Sequence, residues 1–256
     1  MPIERFNLIL DHTKNLSPKI LHLAFRREDQ QPFCFIPGQF ITFLLNTPDN
    51  QIKRRSYSIS SIPALSSTDK LEIAVSYVPN GIASEILFNL KPGEKLSAMG
   101  PAGKLIIDPK DFPNTKRYLL IGTGTGIAPY RAMLNALADR IHHHPEFKIL
   151  MLFGAQYRQD LLYLDDLLAF QKKYPDHFSL RAQLSREDFS TTPRASYEYT
   201  GYVQTALSDP ALKLNPKEDL VFLCGNPNMI DQTFEILSGL SFESQKIRRE
   251  KYISSN

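Results

Sequence analysis

The hydrophobic rhythm of this chain changes once, near Pro113, and that change restricts its fold more than any other feature. Before it, short alternating runs follow one another: Arg5–Leu10, Ile20–Phe25, Phe40–Leu45, Leu71–Val78 and Lys95–Met99. A period of two puts one set of side chains on a buried face and the other in water, the pattern of a half-buried strand. Turn residues separate the runs, as at Pro37-Gly38-Gln39 and Lys91-Pro92-Gly93-Glu94. One helical stretch, Ala83–Asn89, interrupts them. Short strands joined by turns predict an antiparallel barrel.

After Pro113 the strands become continuously apolar and alternate with helices. Tyr118–Ile121, Ile149–Phe153, Phe178–Leu184 and Leu220–Cys224 read as strands. Ala128–Ile141, Leu161–Phe170, Val203–Leu207 and Met229–Leu240 have helical spacing. Strands apolar on both faces, separated by helices, imply a parallel sheet covered on each side. The expected fold is therefore two-domain: an antiparallel β-barrel over 1–113, then a Rossmann-like α/β parallel-sheet domain over 114–256. Asp108–Pro113 reads as the linker.

A length of 256 residues suits two such domains. The net charge of +3 argues against bulk nucleic-acid binding. No run approaches the 18 or so uninterrupted apolar residues of a membrane span. Met1-Pro2-Ile3-Glu4-Arg5 lacks a basic-then-apolar secretory pattern, so a cytosolic location is expected; a monomer is the expected state. Cys34 and Cys224 are too few for a four-cysteine iron–sulfur site, so a one-electron centre would have to sit on a partner. His142-His143-His144 precedes Pro145 at a helix end, where polar and cationic residues are common, and no metal site is expected.

Gly122-Thr123-Gly124-Thr125-Gly126-Ile127-Ala128-Pro129 lies between an apolar strand and a helix. In parallel α/β sheets that position binds ligands. The glycines let backbone approach a phosphate, Pro129 suits a first helical turn, and the helix start favours an anion. The run is not the usual dinucleotide fingerprint, because Ile127 and Pro129 occupy the positions of its third glycine. The second strand runs into Gly154-Ala155-Gln156-Tyr157-Arg158 with no acidic residue at its end. A site without that carboxylate tolerates a ribose 2′-phosphate better.

Six motifs occur in order: Arg55-Ser56-Tyr57-Ser58; Gly81-Ile82-Ala83-Ser84; Gly100-Pro101-Ala102-Gly103; the turn at Gly122–Pro129; Leu184-Ser185-Arg186-Glu187; and Cys224-Gly225. Together they resemble the ferredoxin–NADP reductase family over nearly the whole chain. The resemblance implies that the barrel binds FAD. Arg55 would then pair with the FAD pyrophosphate through its planar fork. Tyr57 would stack on the flavin ring. Ser58 would lie near the flavin nitrogen that receives hydride, and Gly81, Ile82, Ala83 and Ser84 would hold the pyrophosphate at a helix start.

In the second domain Gly122, Thr123, Gly124, Thr125 and Pro129 would receive the pyrophosphate of NADP(H), with NAD(H) as the alternative. Ser185 and Arg186 match family positions at the 2′-phosphate, and Tyr202 matches the tyrosine that stacks on adenine. Arg158 is a further candidate phosphate ligand, or the partner of Asp160 or Asp165 in a surface ion pair. Cys224 would sit beside the nicotinamide. Glu250 and Tyr252 correspond to an acid and an aromatic of the plant-type branch, although Ile253–Asn256 extends past the tyrosine.

The catalytic set implied is Ser58, Cys224, Glu250 and Tyr252, with electrons passed to a ferredoxin- or flavodoxin-type carrier. The basic residues Lys246, Arg248, Arg249 and Lys251 read either as a solvated face or as a rim that steers an acidic carrier. An NADH-dependent reductase component of an oxygenase system and a non-catalytic flavin-binding redox regulator stay open.

Overall fold

The computed structural model describes residues 3–47, 51–64, 67–108 and 113–252. Residues 109–112 of the expected linker and the tail after Tyr252 lie outside the described residues. Two compact units emerge. The first holds the chain through Ile107 together with Ala128–Ala136. The second holds Asp108–Ile127 and the described residues from Leu137 onward.

The first unit contains β1 (Glu4–Ser17), β2 (Ile20–Arg27), β3 (Phe33–Cys34), β4 (Phe40–Asn46), β5 (Ile52–Ser58), β6 (Ser67–Thr68), β7 (Leu71–Ser76), helix α1 (Ile82–Asn89) and β8 (Lys95–Ala102). Six strands form an antiparallel sheet in the order β5-β4-β8-β1-β2-β7, and β3 pairs with β6. Ile59, just past β5, bridges Ile73 of β7, and the Ser60 amide donates to the Glu72 carbonyl at 2.8 Å. The two ends of the sheet thus meet, which closes the barrel and shields strand edges that would otherwise pair with other chains.

Period-two alternation fills the barrel from β4, whereas Ile20–Phe25 of β2, expected to alternate, is buried at every position because both of its faces are covered. Ile41, Phe43 and Leu45 point inward from β4, while Phe40, Thr42 and Leu44 are half-exposed. They meet Leu8, Leu23, Phe25 and Ile73, all buried, and the Phe25 and Phe43 rings lie 5.4 Å apart. β1 runs seven residues further than Arg5–Leu10 because a bulge between Leu10 and His12 bends it along β2. β5 is a strand that the apolar pattern does not announce. Lys53-Arg54-Arg55-Ser56 carries no apolar alternation, and its pairing with β4 across seven residues holds it.

The second unit contains β9 (Arg117–Thr123), β10 (Lys148–Ala155), α4 (Leu164–Lys173), β11 (Phe178–Leu184), β12 (Glu198–Thr200), α5 (Val203–Ala206), β13 (Asp219–Gly225), α6 (Pro227–Gly239) and β14 (Ile247–Lys251). The helix expected over Ala128–Ile141 is interrupted at Met133 into α2 (Ala128–Ala132) and α3 (Leu134–His143). The sheet order is β12-β11-β10-β9-β13-β14, with every pairing parallel. β12 and β14 are further strands that the apolar pattern misses. Ile247-Arg248-Arg249-Glu250-Lys251 reads as a charged tail, yet edge strands need only one covered face.

Two features fix this sheet. At the amino ends, Arg117 faces Asp219 in register and binds its carboxylate through Nε at 2.9 Å and Nη2 at 2.6 Å. Asp219 is buried, so the pair locks β9 to β13. The chain leaves β9 toward β10 and β11, then returns to the other side as β13. The strand order therefore reverses between β9 and β13, where open α/β sheets bind ligands at the carboxyl ends.

Within the first unit, Arg131 of α2 donates to Glu72 Oε2 (2.6 Å) and to the Ser60 carbonyl (2.8 Å). Buried His22 lies 3.8 Å from Glu72 Oε1. Burial is the largest influence on this imidazole and pulls its pKa from 6.5 down to about 4, against the Glu72 charge. His12, Lys14 and Arg131 face it as further cations and favour the neutral ring. The unfolded chain thus takes up a proton on His22 at a higher pH than the folded chain does. Stability contributed by neutral His22 is full above pH 6.5 and is lost as the pH falls toward 4. Denaturant unfolding at a series of pH values should show a loss on the order of 1–3 kcal/mol over that window. A His22→Leu variant should flatten that part of the profile, and an unchanged slope would contradict the assignment.

Candidate functional site

The carboxyl ends of β9 and β13 carry two turns that interlock. Gly122 lies in register between Phe153 and Cys224. Beyond it the chain makes a 3-10 turn over Gly124–Ile127 before α2. A methyl group on Gly126 would lie 2.3 Å from the Cys224 carbonyl oxygen and 2.8 Å from the Gly225 Cα. Only glycine permits that approach. The Asn226 amide donates to Thr123 Oγ1 at 3.1 Å, while the Asn226 side chain caps α6 by accepting from the Met229 amide at 3.2 Å. Gly124, at φ +54°, faces open space with no heavy atom within 4 Å of a would-be Cβ. The turn is thus rigid at Gly126 and open at Gly124, which fits backbone cradling of a phosphate. Thr123 and Thr125 are half-exposed beside it, and Pro129 is buried in α2.

Cys224 is wholly buried. Burial pushes its thiol pKa well above the usual range, and the Glu250 charge adds to that push. The thiol is therefore neutral near pH 7 and a poor nucleophile. Glu250 stands directly opposite Cys224 in the β13–β14 pairing. The Tyr252 amide donates to the Gly225 carbonyl at 2.9 Å, and the Tyr252 side chain hydrogen-bonds to Cys224. Cys224, Glu250 and Tyr252, dispersed in the sequence, converge here.

A second cluster forms at the carboxyl ends of β10 and β11. The Ser185 and Arg186 amides donate to the Ala155 and Gln156 carbonyls at 3.0 and 2.9 Å, and the Gly201 amide donates to the Leu184 carbonyl at 3.1 Å. Ser185, exposed Arg186 and exposed Tyr202 therefore share one end of the sheet. Arg158 makes an ion pair, one of its two expected readings, but with other partners. Its guanidinium binds Glu198 through Nε (2.6 Å) and Nη2 (2.7 Å), and its amide donates to Glu187 (2.6 Å). Glu187 and Glu198 are its partners rather than Asp160 or Asp165. Asp160 instead accepts from the Tyr157 amide.

In the barrel, β5 turns Arg55 and Tyr57 to one face and Arg54 and Ser56 to the other. Tyr57 rests on Phe43 with ring centroids 5.9 Å apart, and burial raises its hydroxyl pKa to about 12. Ser58 is buried next to it. Gly81 opens α1 without any side-chain cap, leaving first-turn amides suited to an anion. Ser84 Oγ donates to the Val78 and Gly81 carbonyls (2.8 and 2.9 Å) and accepts from the Val78 amide. Its hydroxyl ties down the turn that presents those amides. Asn226 is the site residue that sequence reading passed over. Its signal was an N-cap residue followed by Pro227 at the first helical position.

Replacing Gly126 by alanine should force the two turns apart and cost about 1–3 kcal/mol in denaturant unfolding, as overpacking does. In the native protein, exposed Cys34 should react with an aromatic disulfide reagent while Cys224 stays unmodified until denaturant is added. Equal reaction of both thiols in the native state would contradict the burial described.

Residues 7–107 match the family model described as an oxidoreductase FAD-binding domain, and residues 120–234 match the oxidoreductase NAD-binding domain. A relative named ferredoxin–NADP reductase B, from Sorangium cellulosum, is 32% identical over 97% of this chain and 98% of its own length. The toluate 1,2-dioxygenase electron transfer component of Pseudomonas putida is 28% identical over 98% of this chain and 68% of its own length. Among solved structures, a ferredoxin NADP+ reductase from Neisseria gonorrhoeae with bound FAD and NADP superposes with a TM-score of 0.77. That match covers 96% of this chain and 98% of the other, at 20% identity. With both domain models in this order and a full-length relative above 30% identity, the chain belongs to the ferredoxin–NADP reductase family of FAD-dependent oxidoreductases.

Proposed function

We propose that this chain takes hydride from NADPH, or returns it to NADP+, and exchanges electrons singly with a separate ferredoxin- or flavodoxin-type carrier, acting as a cytosolic monomer. The functional division proposed is an FAD-binding region over 1–113 and a nucleotide-binding region over 114–256. The observation that carries the reading is the reversal of strand order between β9 and β13, where an open glycine turn is locked beside Cys224, Glu250 and Tyr252.

FAD, when bound, supplies the conversion between two-electron and one-electron transfer. The protein's part is placement and exclusion of water. Arg55 would grip the FAD pyrophosphate, supported by Gly81, Ile82 and Ala83 at the uncapped start of α1, with Ser84 holding their turn. Tyr57, already packed on Phe43, would present its ring to the flavin with little loss of side-chain entropy. Ser58 would donate a hydrogen bond near the nitrogen that takes up hydride.

On the nucleotide side, amides of Gly122, Thr123, Gly124 and Thr125 would meet the pyrophosphate, and Pro129 would set the following helix. Ser185 and Arg186 would meet the 2′-phosphate, and exposed Tyr202 would stack on adenine. Neutral Cys224 would pack beside the nicotinamide without covalent chemistry. Glu250 would help to orient the nicotinamide, and Tyr252 would cover the flavin and move aside for it.

The similarity to a dioxygenase electron transfer component favours a second reading, an NADH-dependent reductase of an oxygenase system. The ratio of kcat/KM for NADPH and NADH separates the two. FAD-loaded protein should reduce a ferredoxin or a dye acceptor with NADPH, and the absence of turnover with both nucleotides would defeat the enzymatic reading. An Arg186→Ala variant should lose roughly 10- to 150-fold in kcat/KM for NADPH, the range for a hydrogen bond to a charged group, and far less for NADH. A loss of equal size with both nucleotides would defeat the phosphate assignment.

A further inference from the structure

Arg158, in the turn just past β10, binds the loop between β11 and β12. Its amide holds the Glu187 carboxylate at 2.6 Å, at the start of the loop. Its guanidinium donates to the Pro193 carbonyl at 3.2 Å and forks onto Glu198, where the loop ends. Glu198 also accepts from the Ala195 amide at 2.8 Å, and Phe189 lies under the guanidinium, 5.9 Å from its carbon to the ring centre. Glu198 is buried, so this carboxylate needs its partner in place. One residue just past β10 therefore fastens the loop, its amide holding the start at Glu187 and its guanidinium holding the middle and end at Pro193 and Glu198. The residue immediately before Glu187 is Arg186, whose own side chain is exposed.

We infer that Arg158 is a positioning residue for nucleotide selectivity: it fixes the β11–β12 loop so that Arg186 is presented in one place, and does not itself meet the phosphate. This rests on the reading of Arg186 as the 2′-phosphate ligand. The physical basis is preorganisation. An arginine on a loop held by several hydrogen bonds loses less freedom on binding than one on a free loop.

A direct ligand and a positioning residue respond oppositely to a change at Glu198. Glu198→Gln keeps the size and an acceptor for the Ala195 amide but removes the charge that holds the guanidinium. If Arg158 were a phosphate ligand restrained by Glu198, releasing it would tighten NADP+ binding. If it positions Arg186, releasing it loosens the loop and weakens NADP+ binding. Calorimetric titration of the FAD-loaded chain with NADP+, NAD+ and 2′-phospho-AMP measures this without turnover.

For E198Q and R158A, the ratio of NADP+ to NAD+ affinity should fall about tenfold, with R158K between R158A and the parent, because lysine keeps the charge but not the fork. In the double variant R158A/R186A the ratio should fall no further than in R186A alone, since both act through one contact. Tighter NADP+ binding by E198Q, equal loss for both nucleotides, or independent losses that multiply in the double variant would overturn the inference while leaving Arg186 in its role. An R186A variant that kept its NADP+ affinity would instead remove the reading on which the inference rests. Thermal melting of E198Q, the milder change, separates loss of selectivity from loss of fold.

Discussion

The contact between Gly126 and the Cys224 carbonyl is the constraint on which the nucleotide-side geometry depends. A parallel sheet brings the ends of β9 and β13 side by side, but their turns can nest only where no side chain intervenes. Glycine at 126 and 225 removes the obstacle, and Thr123 spans the gap by accepting the Asn226 amide. Three consequences follow from that approach. The turn ahead of α2 is held at one end and free at Gly124. Cys224 is sealed beneath backbone. The chain after Gly225 is aimed directly into α6 through the Asn226 cap. The Tyr252 amide then binds the Gly225 carbonyl, so the C-terminal strand is registered to the same point.

Electrostatics organises the protein mostly by assigning cations to carboxylates. Arg117 is fixed on Asp219, Arg131 on Glu72 and the Ser60 carbonyl, Arg27 on Glu4 and Asp29, and Arg158 on Glu198. Each joins segments distant in sequence or the two ends of one loop. Where such a pair is buried, as Arg117–Asp219 is, removing one partner leaves a charge with neither water nor a counter-ion, which commonly costs about 3–5 kcal/mol. The partners of Arg27, Glu4 and Asp29, are instead exposed to water. These arginines act as structural fasteners, while Arg186 stays exposed. The net charge of +3 conceals this division completely.

Much of the architecture was legible in the sequence because it rests on periodicity. Ile41, Phe43 and Leu45 announce a barrel strand, and Tyr118–Ile121 announces a strand buried on both faces. The strands that escaped, the two-residue β3 and β6 and the longer β5, β12 and β14, lack an apolar run. Ile52–Ser58 and Ile247–Lys251 are charged segments that become strands because β4 and β13 offer them hydrogen-bonding edges. The interruption at Met133 escaped for a different reason: an amide shared between the Pro129 and Tyr130 carbonyls is a local geometric compromise that residue spacing does not encode.

By itself the sequence determined the class of fold, the order of its two halves and the positions of its short motifs, because alternation, glycine turns and arginine–tyrosine–serine spacing are local properties. The tertiary structure decided which of those side chains are available. It placed Cys224 opposite Glu250, closed Ser84 onto its own turn, and bound Arg158 to a buried carboxylate forty residues away. The physical reason is that exposure and partnership depend on which strands become neighbours, and strand neighbourhood is settled by long-range hydrogen bonding and burial rather than by the residues next along the chain.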